Sequence, residues 1–495
     1  MRVTKWRAAI FAALLVGHPV LAQDVTLTSR DGSLALSGAL QGFDGEFYRI
    51  DTAYGLLTVD GQGVICDGPA CPDLTAPKAV IRLVGDADAG RSLLPGLIAG
   101  FAAARGLVLV PGDPTLITDP ATGKILAEFS FVPLPPEIAQ AEMKAGRAEL
   151  IVAAMTAPEF GSRALALDAL VPVVARDNPL PRISTLDLAR ALGGEVANWA
   201  DVGGPDMPLV LHALDPGTGL QQALSARLGR QIAAAVVHPD LAALAAAVAR
   251  DPFALAVTGQ ASVGEARPLP LTDSCGFPLL PSALAVKAED YPLSLPMYLL
   301  TPRRRLPLVA REFLDYLASP QAQVAVAEAG YVDRGVARQP MTADGLRLIN
   351  AIKGAGEETT LADLQRLVAV MDGADRLSLT FRFEGGSTQL DAHSRDNLTD
   401  LARLLEAGIF DGNALILAGF SDGSGAAAAN MDLSRSRADA VLVALAEAAP
   451  AAILPVVQAF GEALPMACDT TAAGRRLNRR VELWIKPGFT DTPVP

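Results

Sequence analysis

Residues 76–345 alternate apolar strands with amphipathic helices, and this alternation constrains the fold of the chain more than any other feature. The sequence AVIRLVG (79–85) predicts a buried strand. The following sequence, SLLPGLIAGFAAARG (92–106), places apolar residues at helical spacing and ends at Gly106, a typical helix terminator. Similar units follow, among them ELIVAAM, LVPVVAR, TLDLARALGG and PLVLHAL. We therefore predict an α/β domain over residues 76–345.

The first 22 residues have the pattern of a secretory signal peptide. A basic segment, MRVTKWR, precedes the apolar AAIFAALLVG, and small residues stand at Val20 and Ala22 before the expected cleavage site. No cysteine follows that site, and no later apolar run reaches the ~18 to 20 residues that span a bilayer. We expect a mature protein that begins near Gln23 and is soluble in the periplasm.

Charge and composition exclude several classes of function. The formal net charge of −13 disfavours nucleic acids and anionic membrane surfaces as general partners, because both require basic patches. The sequence has no H-E-x-x-H and no Walker loop, so we predict no catalytic residue and no cofactor. His212, His238 and His393 are scattered without ligand spacing, which predicts no metal site.

Four cysteines are expected in an oxidising compartment. Cys66 and Cys71 enclose a Gly-Pro turn in CDGPAC, and we predict that they form a disulfide. Cys275 and Cys468 are far apart in sequence. An interdomain bridge and two buried free thiols are equally compatible with their positions.

Other segments flank the α/β region. Residues 23–75 alternate apolar and polar residues between Asp-Gly and Gly-Gln-Gly turns, which predicts a small β module of hairpins. Residues 346–375 predict a helical linker. Residues 376–495 then show a β-α-β-α-β order. The fold class is therefore multidomain, with α/β and α+β parts.

The middle domain resembles the periplasmic phosphate-binding proteins of ABC transporters, the PstS-like family. Residues 164–219 contain a Leu-Asp pair before an apolar strand, an Asn-Pro turn, a Leu-rich helix and Gly-x-x-x-Asn-Trp-x-x-Val-Gly-Gly-Pro. Residues 291–301 and 313–332 are also similar to the C-terminal part of that family. The resemblance implies a type II periplasmic-binding fold, in which two α/β lobes close on phosphate or a related anion.

The turns that hold phosphate in this family differ here. By position, the resemblance offers six solute-binding candidates: Arg91, Ser92, Thr156, Asp168, Thr218 and Gly219. The first turn, GDADAGRS, places Asp86 and Asp88 where hydroxyls are expected. Two carboxylates beside a helix N-terminus repel a bound anion and compete for its donors. Arg91 and Ser92 are the residues available to compensate.

The C-terminal region resembles the OmpA-like peptidoglycan-binding domain. The shared pattern comprises Gly419, Ser421, Asp422, Gly425, Asn430, Leu433, Ser434, Arg437 and Ala438, with GRRLNRRVE (474–482) matching the final motif of the family. The resemblance implies recognition of diaminopimelate in the peptidoglycan stem peptide. Asp422 is expected to bind its ammonium or to orient the loop, and Arg437 to bind its carboxylate.

Local sequence adds expectations about this site. LSRSRA makes Ser434 a good helix N-cap, which places Arg437 in the first helical turn. Asn430 and Ser434 are explained equally well by loop bracing and capping or by ligand contact. Arg479 and Arg480 are predicted as ion-pair partners within the protein rather than as ligands.

Two functions follow from these patterns. The first is a periplasmic solute-binding protein, docked non-covalently to peptidoglycan at the cell wall or outer membrane, with an ABC transporter permease as a further partner. The alternative is a wall-attached interaction scaffold whose solute-binding domain no longer binds phosphate. The sequence does not identify the role of the β module.

Overall fold

A computed structural model describes residues 24–43, 46–68, 70–71, 78–354, 358–384 and 387–487. The chain divides into two compact units, Met1–Lys78 and Ala79–Pro495. The predicted signal peptide, residues 1–22, lies outside the described residues. None of the described helices combines the length and the apolar character needed to cross a membrane.

The first unit contains an antiparallel sheet in the order β4-β3-β2-β1-β5. Its strands are β1 (Asp24–Ser29), β2 (Ala35–Phe43), β3 (Phe47–Thr52), β4 (Gly55–Asp60) and β5 (Val64–Asp67). Val25, Leu27 and Tyr48 are buried in its core. Cys66 and Cys71 form a disulfide with a Cα–Cα distance of 5.8 Å, which confirms the predicted pairing.

The second unit begins with the α/β domain, called the clamp below. Its strands are β6 (Ala79–Gly85), β7 (Val108–Val110), β8 (Thr115–Thr118), β9 (Ile125–Pro133), β10 (Leu150–Ala153), β11 (Gly161–Val174), β12 (Ile183–Ser184), β13 (Val210–Leu214), β14 (Val236–His238), β15 (Ala254–Gly259), β16 (Arg267–Pro268), β17 (Leu271–Thr272), β18 (Pro278–Leu279) and β19 (Ser294–Thr301). Its helices are α1 (Ala87–Ala104), α2 (Pro136–Lys144), α3 (Thr185–Leu192), α4 (Gly219–Leu228), α5 (Leu241–Val248), α6 (Ala283–Lys287), α7 (Leu308–Tyr316) and α8 (Pro320–Glu328).

The clamp has two lobes joined through the long strand β11. The sheet runs in the order β14-β13-β15-β11-β19-β10-β6-β9-β8-β7. The first half of β11 pairs with β19, and its second half pairs with β15. Strands β6–β10 and β19 therefore belong to the first lobe, and β12–β18 with α3–α5 belong to the second. Strands β12, β17 and β18 form a small separate sheet on the second lobe.

Asp168 lies in β11 near the point where the strand passes between lobes, and its side chain is only 5% exposed. Its Oδ1 accepts hydrogen bonds from the backbone N–H groups of Ala169 (2.7 Å) and Gln260 (3.1 Å). A Cβ on Gly259 would lie 2.1 Å from Asp168 Oδ2, so only glycine fits there. Burial raises the pKa of Asp168 to about 6, although these hydrogen bonds favour the ionised form.

The C-terminal domain surrounds a sheet in the order β20-β21-β24-β22-β23. Its strands are β20 (Arg338–Pro340), β21 (Asp375–Phe381), β22 (Asn413–Phe420), β23 (Val456–Ala459) and β24 (Arg480–Pro487). Its helices are α9 (Gly345–Gly354), α10 (Leu361–Met371), α11 (Ala392–Glu406), α12 (Ala427–Ala448) and α13 (Ala472–Asn478). Because β20 pairs antiparallel with β21, this domain starts near Arg338 rather than at residue 376.

The segment predicted as a helical linker, residues 346–375, is helical but packs against the C-terminal sheet rather than connecting two separate domains. Leu364, Leu367 and Met371 of α10 are buried in one cluster with Phe420 and Trp484. Burial of apolar area stabilises a helix in place more than its intrinsic propensity does. Helices α9 and α10 are therefore part of the C-terminal domain.

A buried ionic contact joins the C-terminal domain to the clamp. Asp290, which follows α6, is 6% exposed. Its Oδ2 lies 2.6 Å from Arg376 Nη1, and its Oδ1 accepts a hydrogen bond of 2.9 Å from Arg382 Nη2. Both arginines are nearly fully buried at 1% and 2% exposure. One clamp carboxylate therefore bridges two buried guanidinium groups of the other domain, and Glu482 and Glu289 lie 3.5 Å and 3.8 Å from Arg376 and Arg382 as further counter-charges.

Asp290→Asn is expected to destabilise the protein by about 3–5 kcal/mol, because it leaves Arg376 and Arg382 buried without their shared counter-charge. Urea unfolding at neutral pH measures this change. Glu312→Gln is the matched control, since its ion pair with Arg105 lies at the surface and is expected to contribute less than about 1 kcal/mol. Equal losses in the two variants would contradict the assignment.

Asp168 is expected to make stability depend on pH. Its raised pKa means that the folded protein holds this proton more tightly than the unfolded chain does, so stability is lost as pH rises from about 4 to about 6. The free energy of unfolding of wild type, relative to Asp168→Asn, should fall by about 2–3 kcal/mol across this window and stay level above it. Urea unfolding at a series of pH values tests this, and a difference independent of pH would refute it.

Candidate functional site

The C-terminal site forms where the loop after β22 meets the start of β24. Asp422 is 9% exposed, and its Oδ1 accepts a hydrogen bond of 3.1 Å from the backbone N–H of Ser424. Its Oδ2 accepts one of 2.7 Å from Arg479 Nη1. Burial alone would raise the pKa of Asp422, but the hydrogen bond and charge of Arg479 hold it below its usual value. Asp422 is therefore ionised in this site.

Two buried polar groups beside this ion pair have no hydrogen-bond partner in the part of the chain that the structure describes. Arg437 is 6% exposed, and its Nη1 has no hydrogen-bond acceptor among the described residues. The Ser421 hydroxyl, in a side chain that is 3% exposed, likewise lacks a partner within the described part of the chain. Buried polar groups are nearly always hydrogen-bonded, so these two are the atoms that a bound molecule would satisfy.

The Arg437 guanidinium lies over the ring of Phe383, 5.8 Å from its centroid. Burial and the nearby positive charge of Arg479 lower the pKa of Arg437, and the carboxylate of Asp422 opposes this shift. The site thus brings the Asp422 carboxylate together with the guanidinium groups of Arg437 and Arg479. This charge arrangement is complementary to a zwitterion, whose ammonium needs an anion and whose carboxylate needs cationic donors.

Asn430 and Ser434 brace the site from beneath. Asn430 is 1% exposed, and its Nδ2 donates to Glu462 Oε2 at 3.3 Å. The Ser434 hydroxyl donates to the carbonyl of Met431 (2.8 Å) and accepts from the N–H of Gly461 (3.1 Å). Both side chains form hydrogen bonds within the protein. These contacts are the ones that loop bracing requires.

The predicted helix start at Ser434 is wrong. Helix α12 begins at Ala427, so Ser434 lies in its interior and Arg437 is in its third turn, away from the N-terminal N–H groups. The N–H of Ala427 donates to Glu358 Oε2 at 2.8 Å, and the Ala-rich start has high helix propensity. The helix therefore starts earlier because a distant residue supplies the acceptor. A similar difference occurs at α11, where the sequence SRDNL predicts Ser394 as the N-cap but Asp391 holds that position.

Arg479 forms the ion pair predicted for it, and its partner is Asp422 itself. Phe383, which lies beneath Arg437, was not predicted as part of this site. The NRRVE segment was a signal for Arg479, but nothing local to Phe383 indicates its position beside α12.

The clamp cleft contains two cavities near the ends of β6 and β13. One, of about 300 Å3, is lined by Asp86, Glu137, Thr156 and Gly219 among others. The other, of about 230 Å3, is lined by Asp86, Asp88, Asp215, Thr218 and Gly219 among others. No lysine or arginine is among the described residues that line either cavity. The electrostatic environment of the cleft therefore disfavours an anion.

The carboxylates of Asp86 and Asp88 lie near the N-termini of α4 and α5 in the second lobe. Asp86 caps α1, accepting from Ala89 N–H at 3.0 Å, while its Oδ2 would lie 3.4 Å from a Cβ on Gly219, the first residue of α4. Burial and then the neighbouring Asp86 raise the pKa of Asp88, and the N–H of Leu241, where α5 begins, opposes the shift. These carboxylates thus lie close to the N–H groups that an oxyanion would use.

The other solute-binding candidates separate into three groups. Thr218 caps α4, and its hydroxyl donates to the carbonyl of Asp215 at 2.9 Å. Thr156 lines the larger cavity, whereas Asp168 is held by backbone N–H groups as described above. Arg91 and Ser92 are exposed on α1 and line neither cavity, contrary to the expected compensation. Each residue of a helix turns by about 100°, which directs these two side chains outward.

The remaining cysteines, left open by the sequence, form a disulfide between Cys275 and Cys468 with a Cα–Cα distance of 5.9 Å. No group of three or more His, Cys, Asp or Glu side chains in the described ranges is arranged to hold a metal ion.

Residues 382–479 match the OmpA family, and residues 138–321 match a PBP superfamily domain. The chain is 32% identical over 137 residues to the probable lipoprotein YiaD of Escherichia coli (strain K12), a match that covers 26% of this chain and 62% of YiaD. It is 36% identical over 103 residues to the outer-membrane lipoprotein YfiB of Pseudomonas aeruginosa, covering 21% of this chain and 60% of YfiB. The chain spans about three-fifths of the length of these relatives.

Among solved structures, an ABC-type phosphate transport receptor from Vibrio cholerae is similar at 18% identity and a TM-score of 0.41, covering 51% of this chain and 99% of the receptor. PstS from Borrelia burgdorferi is similar at 13% identity and a TM-score of 0.36, covering 52% of this chain and 99% of PstS. The two family matches identify the two regions more specifically than these structural similarities do. The chain therefore contains a region similar to the PBP superfamily domain, followed by a C-terminal region similar to the OmpA family.

Proposed function

We propose that this protein is a binding protein of the cell envelope, located in the periplasm and held to peptidoglycan by its C-terminal domain. The observation that supports this most is the pair of unsatisfied buried groups, Arg437 Nη1 and Ser421 Oγ, beside the Asp422–Arg479 ion pair. The related YiaD and YfiB are both named as lipoproteins, which agrees with a role in the envelope.

The ligand chemistry follows from the site. The free end of a diaminopimelate side chain carries one ammonium and one carboxylate. Asp422 accepts hydrogen bonds from the ammonium, and Arg437 donates to the carboxylate, each bond being charge-assisted. The ion pair with Arg479 keeps Asp422 ionised and oriented until the stem peptide arrives.

The clamp, in this proposal, binds no phosphate and serves as an interaction domain attached to the wall. Its cleft carries carboxylates where an oxyanion needs donors, and Arg91 lines neither cavity. A phosphate receptor for an ABC permease is the second candidate. It is supported by Thr218 and Gly219, which keep a helix N-terminus at the edge of the cleft.

Asp422→Ala and Arg437→Ala are each expected to weaken binding to diaminopimelate-type peptidoglycan about 10- to 100-fold, because each removes a charge-assisted contact. Co-sedimentation of the full chain with purified peptidoglycan measures this. Arg435→Ala is the matched control, since Arg435 is an exposed residue on the same helix. Binding of the two site variants at the wild-type level would contradict the proposal.

Millimolar phosphate is expected to leave the thermal unfolding of the full chain unchanged, relative to sodium chloride of equal ionic strength. The variant with Asp86→Ser and Asp88→Ser removes two carboxylates from the cleft, keeps a hydroxyl to cap α1, and should gain stabilisation by phosphate. A ligand at 100 times its Kd adds about 2.7 kcal/mol. Asp315→Ser, at an exposed position of α7, is the control. Stabilisation of wild type by phosphate would favour the receptor instead.

A further inference from the structure

The peptidoglycan site is connected to the second lobe of the clamp through residues 466–470. We propose that Asp469, held by the Cys275–Cys468 disulfide, positions the loop that carries Asp422, so that the second lobe sets the affinity of the site for its ligand. This inference rests on the proposed function of Asp422 and adds a positioning residue and a link between the domains.

Asp469 bridges the two sides of the site. Its Oδ2 accepts a hydrogen bond of 2.7 Å from the backbone N–H of Gly423, the residue after Asp422. Its Oδ1 accepts one of 2.6 Å from Asn478 Nδ2, and Asn478 precedes Arg479 in the chain. Asp422 and Arg479 are the two members of the ion pair in the site. One carboxylate therefore holds the backbone next to Asp422 and the side chain of the residue next to Arg479.

Cys468, which precedes Asp469, is bound covalently to the clamp. Its disulfide to Cys275 closes a sequence separation of 193 residues. Polar contacts reinforce this bond on both sides. The N–H of Cys468 donates to Asp273 Oδ2 at 3.0 Å, and the hydroxyls of Ser274 and Thr470 are 2.6 Å apart. The loop 466–470 therefore moves with the turn that contains Cys275.

That turn is a rigid part of the second lobe. Asp273 is 4% exposed, and its Oδ1 accepts hydrogen bonds of 2.9 Å from the N–H groups of both Cys275 and Phe277. The preceding strand β17 pairs through Leu271 with Ile183 of β12, and β12 leads directly into α3. Displacement of the second lobe is thus transmitted to Asp469 without a flexible segment between them.

The coupling between lobe and site is a free energy, so it acts in both directions. A lobe position that strains the contact between Asp469 and Gly423 weakens ligand binding. Ligand bound at Asp422 in turn resists that displacement. Any partner or solute that moves the second lobe would then change the affinity of this protein for peptidoglycan.

The test is a calorimetric titration of the full chain with a soluble tripeptide, L-Ala-γ-D-Glu-meso-diaminopimelate. The double variant Cys275→Ser, Cys468→Ser should bind about fivefold more weakly than wild type. Asp469→Ala should weaken binding as well. Asp469→Asn should lie between Asp469→Ala and wild type, since its amide oxygen still accepts from Gly423 N–H. The matched control is Cys66→Ser, Cys71→Ser, which removes the other disulfide and should leave affinity unchanged.

A double-mutant cycle separates positioning from general stability. In an Asp422→Asn background, removal of the Cys275–Cys468 bond should change affinity by less than about twofold, because the disulfide acts through Asp422. Mild reduction and reoxidation of wild type should lower and then restore affinity. Thermal unfolding of each variant verifies that it is folded.

The outcomes distinguish the two proposals. Wild-type binding with unchanged affinity in the disulfide and Asp469 variants would overturn this inference and leave the peptidoglycan site intact. An equal loss of affinity in both Asp422 backgrounds would also overturn it. No binding of the tripeptide by wild type would overturn the proposed function and, with it, this inference.

Discussion

The contact of Asp290 with Arg376 and Arg382 is the constraint on which the arrangement of the second unit depends. Three charges are removed from water there, and their desolvation is offset only if the two domains meet in one geometry. A second contact supports the same placement, since Asp400 of α11 pairs with Arg334 of the clamp at 2.6 Å. The clamp and the C-terminal domain are consequently one compact unit rather than two modules on a linker.

The two candidate sites have opposite electrostatic character. The C-terminal site presents the guanidinium donors of Arg437 and Arg479 beside the Asp422 carboxylate, whereas the clamp cleft is lined by carboxylates without a cation among its described residues. A fold does not fix a ligand, because the ligand is selected by the side chains placed on it. The same helix N-termini that accept anions elsewhere here face Asp86 and Asp88, which reduces their capacity for another anion.

Periodicity and spacing predicted much of this protein. The strand and helix order of the clamp, the helix terminator at Gly106 and the pairing of Cys66 with Cys71 all depend on neighbours within a few residues. The start of α12 could not be predicted in this way, because Glu358, 69 residues earlier, supplies its first acceptor. The direction of Arg91 on α1 is also decided by which helix face packs on the sheet.

The sequence by itself determined the fold class of each domain and the residue types of the C-terminal site, because hydrophobic periodicity and the spacing of Asp422 and Arg437 are local properties. Tertiary structure alone decided that Cys275 meets Cys468, that Arg437 keeps an unsatisfied donor, and that the predicted linker packs on a sheet. These outcomes require residues far apart in sequence to share one buried volume. Their burial and partners are set by the packing of whole domains.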